Sequence, residues 1–503
     1  MYTVIALMVA NFLTAVDGTI VDTAMPRIVG SLGGFALLTW VVTAYMLTST
    51  ASVPIYGKLA DLIGRKRTFT IGAIVFVGGS ALCGLSHSMI QLILFRGIQG
   101  LGAGAILPTI QTIVGDIFTP EERAKTQGWF SAVWGFSALV GPLVGGVMVD
   151  HASWRWLFYI NLPLGILALL MIWRFLEEKV EKRKVQVDYL GSVTLTAGIT
   201  LLLLVLLTGG VSYPWSSPAI IGMGVAAVVL LATFIWQERR APDPMLPLDL
   251  FRIPDIGWPT LASFMVGGVM YGTTVYLPIW AQGVEGFSAT KSGASLLWLS
   301  IGWPIASLIG GKFILKLGVR PAALLGLVLN TLGAAGVVVL GRISTQIPPV
   351  GLACLTFVIG SGMGFTTLAY ILGVQSAVDW SRRGVATAAL QFMRTLGGLV
   401  WVSVAGAAMN LSLLSRLKQI PGVAAATAQE AGKVANSLLD PQSWAALPAD
   451  KLVLLRGALA DSLRTVHVIV LVVAVISLVI SLMVPNTQFK GSVSTRDAQS
   501  GGH

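Results

Sequence analysis

Fourteen long apolar stretches are the feature that most constrains the fold of this chain of 503 residues. A helix that crosses a bilayer needs about 20 mostly apolar residues. The stretches that approach this length lie at 2–25, 36–56, 68–86, 89–115, 127–149, 156–175, 189–208, 218–236, 257–281, 290–315, 321–340, 350–373, 385–410 and 464–484. The sequence therefore predicts an all-α polytopic membrane protein with fourteen transmembrane helices.

The composition excludes a set of water-soluble domains. Hydrophobic residues make up 55% of the chain and charged residues only 11%, whereas a soluble domain carries about 25% charged residues. The four histidines do not cluster, and neither a metal-binding nor a nucleophile motif appears in the sequence. The phosphate-binding pattern GxxxxGK[ST] is also absent. We therefore predict no enzyme, no metal and no cofactor, with a proton gradient as the energy source.

The basic residues predict the orientation of the chain, because cytoplasmic loops carry an excess of Lys and Arg. If the N-terminus is cytoplasmic, the inside loops and the C-terminal tail hold 21 of the 33 basic residues, and the short outside loops hold four. We therefore predict a multi-pass protein of the cell membrane with both termini in the cytoplasm. The net charge of +11 is then an orientation signal and gives no support to a nucleic-acid partner.

A short sequence repeat divides the chain into two halves. GKLADLIGRKR at residues 57–67 follows the second apolar stretch, and GKFILKLGVRP at residues 311–321 follows the tenth. Their glycines align as Gly57 with Gly311 and Gly64 with Gly318. Internal repeats are typical of secondary transporters, which bind their substrates near the midplane between the repeats. We therefore predict two six-helix bundles with two helices inserted between them.

The repeat and the apolar stretches together set the domain boundaries. We predict an N-terminal bundle at 1–175, inserted helices and linkers at 176–256, a C-terminal bundle at 257–484 and a cytoplasmic tail at 485–503. Within the C-terminal bundle, residues 411–463 form the one sizeable segment outside the membrane. An outside hairpin, short helices lying on the bundle and a mobile loop all fit this segment.

Two aspartates, Asp17 and Asp22, interrupt the first apolar stretch. A charge at the bilayer centre costs roughly 2.5–3.5 kcal/mol on insertion scales, so such a group faces the bundle interior, a partner or water. By the helical rise, Asp17 lies about 12 Å below the outer end of its helix, and Arg96 lies about 10 Å below the outer end of the fourth helix. We therefore predict that Arg96 is the charge partner of Asp17.

This pair fits two interpretations. A carboxylate next to an arginine holds protons weakly, whereas a desolvated carboxylate without a partner holds them strongly. A pair that opens and closes could carry protons across the membrane, while a static pair would only fix helix packing. Asp22 lies about 140° around the helix from Asp17 and is either a solvated acid, a second proton site or an attractor of cationic substrates.

Five motifs resemble those of the major facilitator superfamily. GKLADLIGRKR resembles the superfamily's loop signature, RGIQGLGAGA at 96–105 the fourth-helix signature of its proton-driven exporters, and GPLVGG at 141–146 its antiporter signature. AVDGTIVDTAMP at 15–26 and WRWLFYINLPLG at 154–165 are similar to segments of the fourteen-helix drug:proton antiporters. This resemblance implies the major facilitator fold and multidrug efflux.

The resemblance also implies roles for two sets of residues. In the loop of Gly57 and Gly64, Asp61 would lock the two halves together on the inside, because an anion is favoured at a helix N-terminus. Arg65 would pair with Asp116 at the inner end of the fourth helix. The antiporter signature supplies Gly141, Pro142, Gly145 and Gly146. Its proline removes a helical hydrogen bond, and its small residues allow close helix packing, so it would either seal the substrate path or serve packing alone.

Aromatic and amide side chains in the apolar stretches are candidates for the substrate cavity. An apolar pocket with few polar groups suits amphipathic ligands, and aromatic faces attract cations. The candidates are Trp40, Tyr45, Gln111, Trp134, Asn161, Tyr271, Tyr276 and Gln391, together with Arg394. Arg394 would either satisfy carbonyl groups at a helix interface or bind an anionic group.

We therefore predict a proton-coupled antiporter that exports lipophilic, cationic or zwitterionic drugs by alternating access, with Asp17 as the proton carrier. An exporter of lipids or other amphiphiles with the same fold is the alternative, and a membrane sensor or scaffold without transport is a third. The expected partners are the lipid bilayer, small amphipathic substrates and protons. We expect a monomer. An adaptor protein that carries the exported substrate further is neither required nor excluded by the sequence.

Overall fold

The chain folds almost entirely into helices. The structure is a computed structural model that describes residues 2–32, 38–176, 178, 188–209, 213–242, 244, 246–287, 289–343, 348–420 and 448–488. Within these ranges, fourteen helices of at least 15 residues follow the fourteen apolar stretches one for one. The predicted all-α class is therefore confirmed.

Six of these helices form the N-terminal half. They are α1 (Tyr2–Leu32), α2 (Leu38–Ile63), α3 (Arg65–Gly84), α4 (Met89–Ile117), α5 (Pro120–His151) and α6 (Asn161–Phe175), the last preceded by a helical turn at Trp156–Tyr159. Side-chain caps set two of the starts. Ser88 Oγ accepts the backbone N–H of Gln91 before α4, and Thr119 and Glu122 form a capping box before α5.

Two inserted helices precede the six helices of the C-terminal half. The inserted pair is α7 (Tyr189–Thr208) and α8 (Pro218–Glu238), and the C-terminal half comprises α9 (Pro254–Ile279), α10 (Ala289–Leu317), α11 (Val319–Ile343), α12 (Pro349–Ser376), α13 (Arg383–Leu417) and α14 (Ala449–Ser481). A π-helical turn at Trp280–Val284 continues α9. The inserted helices pack against each other, and α7 also contacts α2 and α13.

The helix contacts repeat between the halves. In the N-terminal half α2 and α3 pack on α4, and α1 packs on α5 and α6. In the C-terminal half α10 and α11 pack on α12, and α9 packs on α13 and α14, which is the same pattern shifted by eight helices. The halves meet where α2 contacts α13 and where α5 contacts α10. This arrangement is that of an internally repeated transporter fold.

The two copies of the loop repeat share one backbone feature. Gly64, between α2 and α3, has φ +95°, and Gly318, between α10 and α11, has φ +94°. L-residues with a side chain rarely adopt this region, whereas glycine enters it without steric cost. The aligned glycines therefore turn the chain in the same way at equivalent points of the two halves.

Fewer of the described helices are long and apolar enough to cross a membrane than the fourteen that form. Ten of the described helices are long and apolar enough to span a bilayer, and Tyr2–Gly18 and Leu190–Leu206 are shorter apolar stretches. The count of fourteen crossings therefore stays a prediction. The helix ends also extend beyond the apolar stretches. The helix α13 runs to Leu417 and α14 begins at Ala449, so both flanks of the predicted outside segment continue these helices, and residues 421–447 lie outside the described ranges.

Replacing Gly64 or Gly318 by alanine is expected to lower the free energy of unfolding by about 1–3 kcal/mol, because a Cβ strains the backbone at this φ. Thermal unfolding of the purified protein in detergent measures the change. Gly78→Ala in α3 is the control, since a methyl group there meets no atom within 4 Å. Equal melting temperatures for Gly64→Ala and Gly78→Ala would contradict the assigned backbone conformation.

Candidate functional site

The carboxylate of Asp17 is the centre of a hydrogen-bond network inside the N-terminal half. Its Oδ2 accepts a hydrogen bond from Arg96 Nη1 at 2.8 Å. Its Oδ1 accepts from Gln99 Nε2 at 2.8 Å and from Asn161 Nδ2 at 2.7 Å. Arg96 and Gln99 lie on α4 one turn apart, and Asn161 is the first residue of α6. The predicted contact between Asp17 and Arg96 is therefore present, and two amides complete it.

Further hydrogen bonds tie α3 into this network. Asn161 Nδ2 also donates to Ser80 Oγ at 3.0 Å, and Ser80 Oγ donates to the Phe158 carbonyl at 2.8 Å. Arg96 Nη1 also donates to Gln99 Oε1 at 2.9 Å. The carboxylate of α1 thus contacts side chains of α4 and α6 directly, and α3 is joined to it through Asn161.

The network is sealed from solvent in this conformation. The exposed fraction is 0% for Asp17 and 2% for Arg96. A buried ion pair is tolerated when further hydrogen bonds satisfy both ions, and removing one partner costs about 3–5 kcal/mol. Every hydrogen-bond partner that the structure gives this carboxylate is a donor. The carboxylate is therefore closed to solvent in this conformation.

Tyr45 and Val41 of α2 contact the network through Arg96. The Arg96 guanidinium lies over the Tyr45 ring, 4.1 Å from its centroid, and Arg96 Nε donates to the Val41 carbonyl at 3.4 Å. A rearrangement around Arg96 would therefore act on α2.

A second cluster joins the halves at the predicted cytoplasmic end. Asp61, in the last turn of α2, accepts backbone hydrogen bonds from Gly384 at 3.0 Å and Val385 at 2.8 Å. Both N–H groups belong to the first turn of α13, where the helix dipole favours an anion. Asp61 therefore binds the N-terminus of α13, as the sequence predicts.

Arg65 holds this cluster together. Its guanidinium contacts Asp61 Oδ1 at 3.0 Å and Asp116 Oδ2 at 2.8 Å. It also donates to the Trp380 carbonyl at 2.9 Å and lies over the Trp380 ring at 4.0 Å. Because Trp380 precedes α13, Arg65 bridges both halves. Arg383 adds a longer contact to Asp116 Oδ1 at 3.6 Å.

Close backbone packing completes this inner cluster. A methyl group on Gly57 of α2 would lie 2.3 Å from the Cβ of Ala388 on α13, so only glycine allows this approach. Gln375 Nε2 donates to the Gln111 carbonyl at 3.0 Å, and Arg383 Nη1 donates to the Gly115 carbonyl at 3.0 Å. The two halves are thus joined at the predicted cytoplasmic end in this conformation.

A small cavity, with room for about one water-sized group in this conformation, lies mainly in the C-terminal half. Gln111 of α4 contributes one wall, and the other walls come from α9, α12 and α13. These residues are Ser263, Val266, Thr367, Tyr370, Ile371, Thr387, Leu390, Gln391 and Arg394. Arg394 donates to Gln391 Oε1 at 2.6 Å. The lining therefore combines apolar walls, hydroxyl and amide groups and one cation.

Comparison with known proteins identifies the family. The profile of the Major Facilitator Superfamily matches residues 7–402. The chain belongs to this superfamily. It is 37% identical over 92% of its length to the multidrug transporter protein MdtP of Bacillus subtilis (strain 168), covering 88% of that protein. It is 32% identical over 96% of its length to the efflux pump dotC of Dothistroma septosporum, covering 84% of that protein. The chain is therefore a multi-pass membrane transporter and not an enzyme.

Solved structures of the superfamily share its fold. The proton:xylose symporter XylE matches 97% of the chain, and 96% of its own, with a TM-score of 0.62 at 12% sequence identity. The human organic anion transporter MFSD10 matches 87% of the chain, and 97% of its own, with a TM-score of 0.59 at 16% identity. At these identities the likeness establishes the architecture of the transporter alone.

Several residues predicted to line the transporter's cavity lie elsewhere. Asn161 is fully buried on Asp17, so its assignment to the cavity is wrong, because its amide satisfies the buried carboxylate. Trp134 donates to Asn11 Oδ1 at 3.1 Å and is 43% exposed. The Tyr276 hydroxyl donates to the Val402 carbonyl at 2.7 Å within the C-terminal half. Trp40 packs against a hydrophobic core.

Of the remaining predicted cavity residues, Gln111, Gln391 and Arg394 line the cavity. Tyr271 packs against Gly398, because a methyl group added to Gly398 would lie 2.2 Å from the Tyr271 ring. Tyr45 stacks on Arg96, as described above.

The surroundings of three other predicted residues are outside the described part of the structure, namely Asp22, Pro142 and Gly146. Gly141 and Gly145 are buried in α5, which packs against α1 and α10. The role of the antiporter signature therefore stays a prediction.

The sequence interpretation missed three functional partners. Gln99 could have been predicted as a partner of Asp17, because it follows Arg96 by one turn on α4, a spacing that places both on one helix face. Ser80 and Trp380 carry no such signal, because their contacts depend on how separate helices meet.

Replacing Asp61 by asparagine is expected to weaken the closed inner end, since a charge at a helix N-terminus contributes about 0.3–2 kcal/mol. The distance between spin labels on Arg67→Cys and Asp379→Cys measures the change, in a protein whose two native cysteines are replaced by serine. We expect the population with a long distance to rise by on the order of tenfold.

Asp450→Asn is the matched control, because Asp450 is an exposed acid in the first turn of α14. Gly57→Ala tests the same contact between the halves without a change of charge and should also lengthen the distance between the labels. An unchanged distance distribution in both Asp61→Asn and Gly57→Ala would show that Asp61 and Gly57 do not hold the halves together.

Proposed function

We propose that this transporter is a proton-coupled antiporter that exports lipophilic drugs by alternating access, with Asp17 as the proton carrier. The buried carboxylate of Asp17 on Arg96 carries the proposal, because ionisable groups inside a membrane bundle mark proton relays and substrate pathways. The named relatives are multidrug and efflux transporters, which supports drug export.

Protonation of Asp17 would change the forces on Arg96. A neutral carboxyl group attracts the guanidinium less strongly than a carboxylate does, and Arg96 would keep its contacts with the Tyr45 ring and Val41. Both of these residues lie on α2, and Asp61 lies 16 residues after Tyr45 on the same helix, about 24 Å along its axis. A shift of Arg96 would therefore be transmitted through α2 to the cluster of Asp61, Arg65 and Asp116. Proton binding would then be coupled to separation of the two halves at this cluster.

The cavity supports an amphipathic substrate. Its apolar walls and few polar groups are the usual lining of small-molecule sites. The described lining carries one cation, Arg394, and no Asp or Glu. Of the two charge classes predicted from the sequence, this lining favours zwitterionic over purely cationic drugs, because a cation would be repelled by Arg394.

Replacing Asp17 by asparagine is expected to abolish substrate-driven proton movement in proteoliposomes, because the amide cannot carry a proton across. Exchange of labelled for unlabelled substrate needs no proton and should persist. A pH-sensitive dye inside the vesicles measures proton flux, and a panel of amphipathic dyes and labelled lipids serves as substrates. We expect proton flux to fall at least tenfold relative to substrate exchange.

Asp17→Asn leaves the buried Arg96 without its counter-ion, which could destabilise the fold. The double variant Asp17→Asn/Arg96→Gln removes both charges and therefore tests the loss of the carboxylate without an unpaired buried charge. Asp450→Asn is the surface control. Normal proton flux in either Asp17 variant would overturn the assignment of the carrier, and proton flux driven only by lipids would identify a lipid exporter.

A further inference from the structure

We propose that Arg394 and Gln391 form a binding site for the carboxylate of an amphipathic acid in the cavity of the C-terminal half. The inference rests on the proposed export of amphipathic compounds and names the anionic group by which such a compound is held. The proposal concerns binding, so it does not depend on how transport is driven.

The first argument is the charge balance of Arg394. The other arginines buried in the two clusters have acidic partners, since Arg96 pairs with Asp17 and Arg65 pairs with Asp61 and Asp116. Within the described ranges, the hydrogen bond found for Arg394 is with the neutral Gln391, and no ion pair is found. A guanidinium group carries five N–H donors in a planar fork, and Arg394 lines the cavity, so donors beyond the bond to Gln391 are available to a ligand there.

The second argument is the geometry of the donors. The Oε1 atom of Gln391 accepts the hydrogen bond from Arg394 at 2.6 Å, which leaves the Gln391 amide nitrogen as a donor beside the guanidinium. A planar fork of two parallel N–H groups matches the two oxygens of a carboxylate. The two residues lie three positions apart on α13, so the helix itself fixes their spacing.

The third argument is the character of the surrounding cavity. Val266, Ile371 and Leu390 offer apolar walls, and Thr367 and Thr387 add hydroxyl groups. The space between them has room for about one water-sized group in this conformation. An acid would therefore enter after the two halves move apart, bury its apolar body against these walls and place its carboxylate on Arg394.

An anion bound at Arg394 would set the charge moved per cycle. One proton exchanged for one monoanion moves two charges inward, whereas exchange for a zwitterion moves one.

The test compares three fluorescent probes that share one ring system, namely 1-pyrenebutyrate, its methyl ester and 1-pyrenebutylamine. Their binding to the purified transporter in nanodiscs is measured by fluorescence polarisation at pH 7.5. We expect the wild type to bind pyrenebutyrate at least tenfold more tightly than the ester or the amine. Competition by oleate in a parallel series distinguishes a membrane fatty acid from a free amphipathic acid as the source of the carboxylate.

Arg394→Gln should remove the preference for the acid, and Arg394→Lys should retain part of it, because lysine keeps the charge but not the planar fork. Arg174→Gln, at an exposed arginine near the end of α6, is the matched control. The Arg394→Gln variant should fold, since it removes a half-buried charge without an ionic partner, and its melting temperature verifies this.

Equal binding of acid and ester by the wild type, or an unchanged preference in Arg394→Gln, would overturn the proposal. Asp17→Asn should keep the preference for the acid, because Asp17 does not line the cavity. A transporter that binds the acid through Arg394 but moves no protons would therefore defeat the proposed coupling while leaving this site intact.

Discussion

The ion pair between Asp17 and Arg96 is the interaction on which the rest of the structure depends. Arg96 and Gln99 of α4 and Asn161 of α6 satisfy the buried carboxylate of α1, and Ser80 of α3 supports Asn161. Burial makes each of these hydrogen bonds energetically strong and makes the loss of any partner costly. The packing of the N-terminal half is therefore coupled to the charge of a single side chain.

The cluster of Asp61, Arg65 and Asp116 applies the same physics where the two halves meet. Asp61 places its charge on the N-terminus of α13, and Arg65 balances that charge from the same half. The helix α2 carries Asp61 and also Tyr45, which contacts Arg96. One helix therefore touches both the buried ion pair and the contact between the halves.

The sequence predicted most of the fold and the charged part of the site. The helical rise fixes the depth of a residue, so Asp17 and Arg96 could be paired from their positions alone. The amide partners depend on the rotation of each helix about its axis and on the approach of its neighbours, which explains why Asn161 was assigned to the cavity. The start of α5 at Pro120 was also missed, because an apolar window does not detect the capping box at Thr119.

The central claim is that Asp17 gains and loses a proton during transport. Infrared difference spectroscopy of the purified transporter, recorded on addition of a transported drug, observes the carbonyl stretch of protonated carboxylic acids directly. We predict a carboxylic acid band that changes when the drug binds, that shifts in heavy water and that is missing from Asp17→Asn. A difference spectrum without such a band, or one that keeps it in Asp17→Asn, would contradict the account.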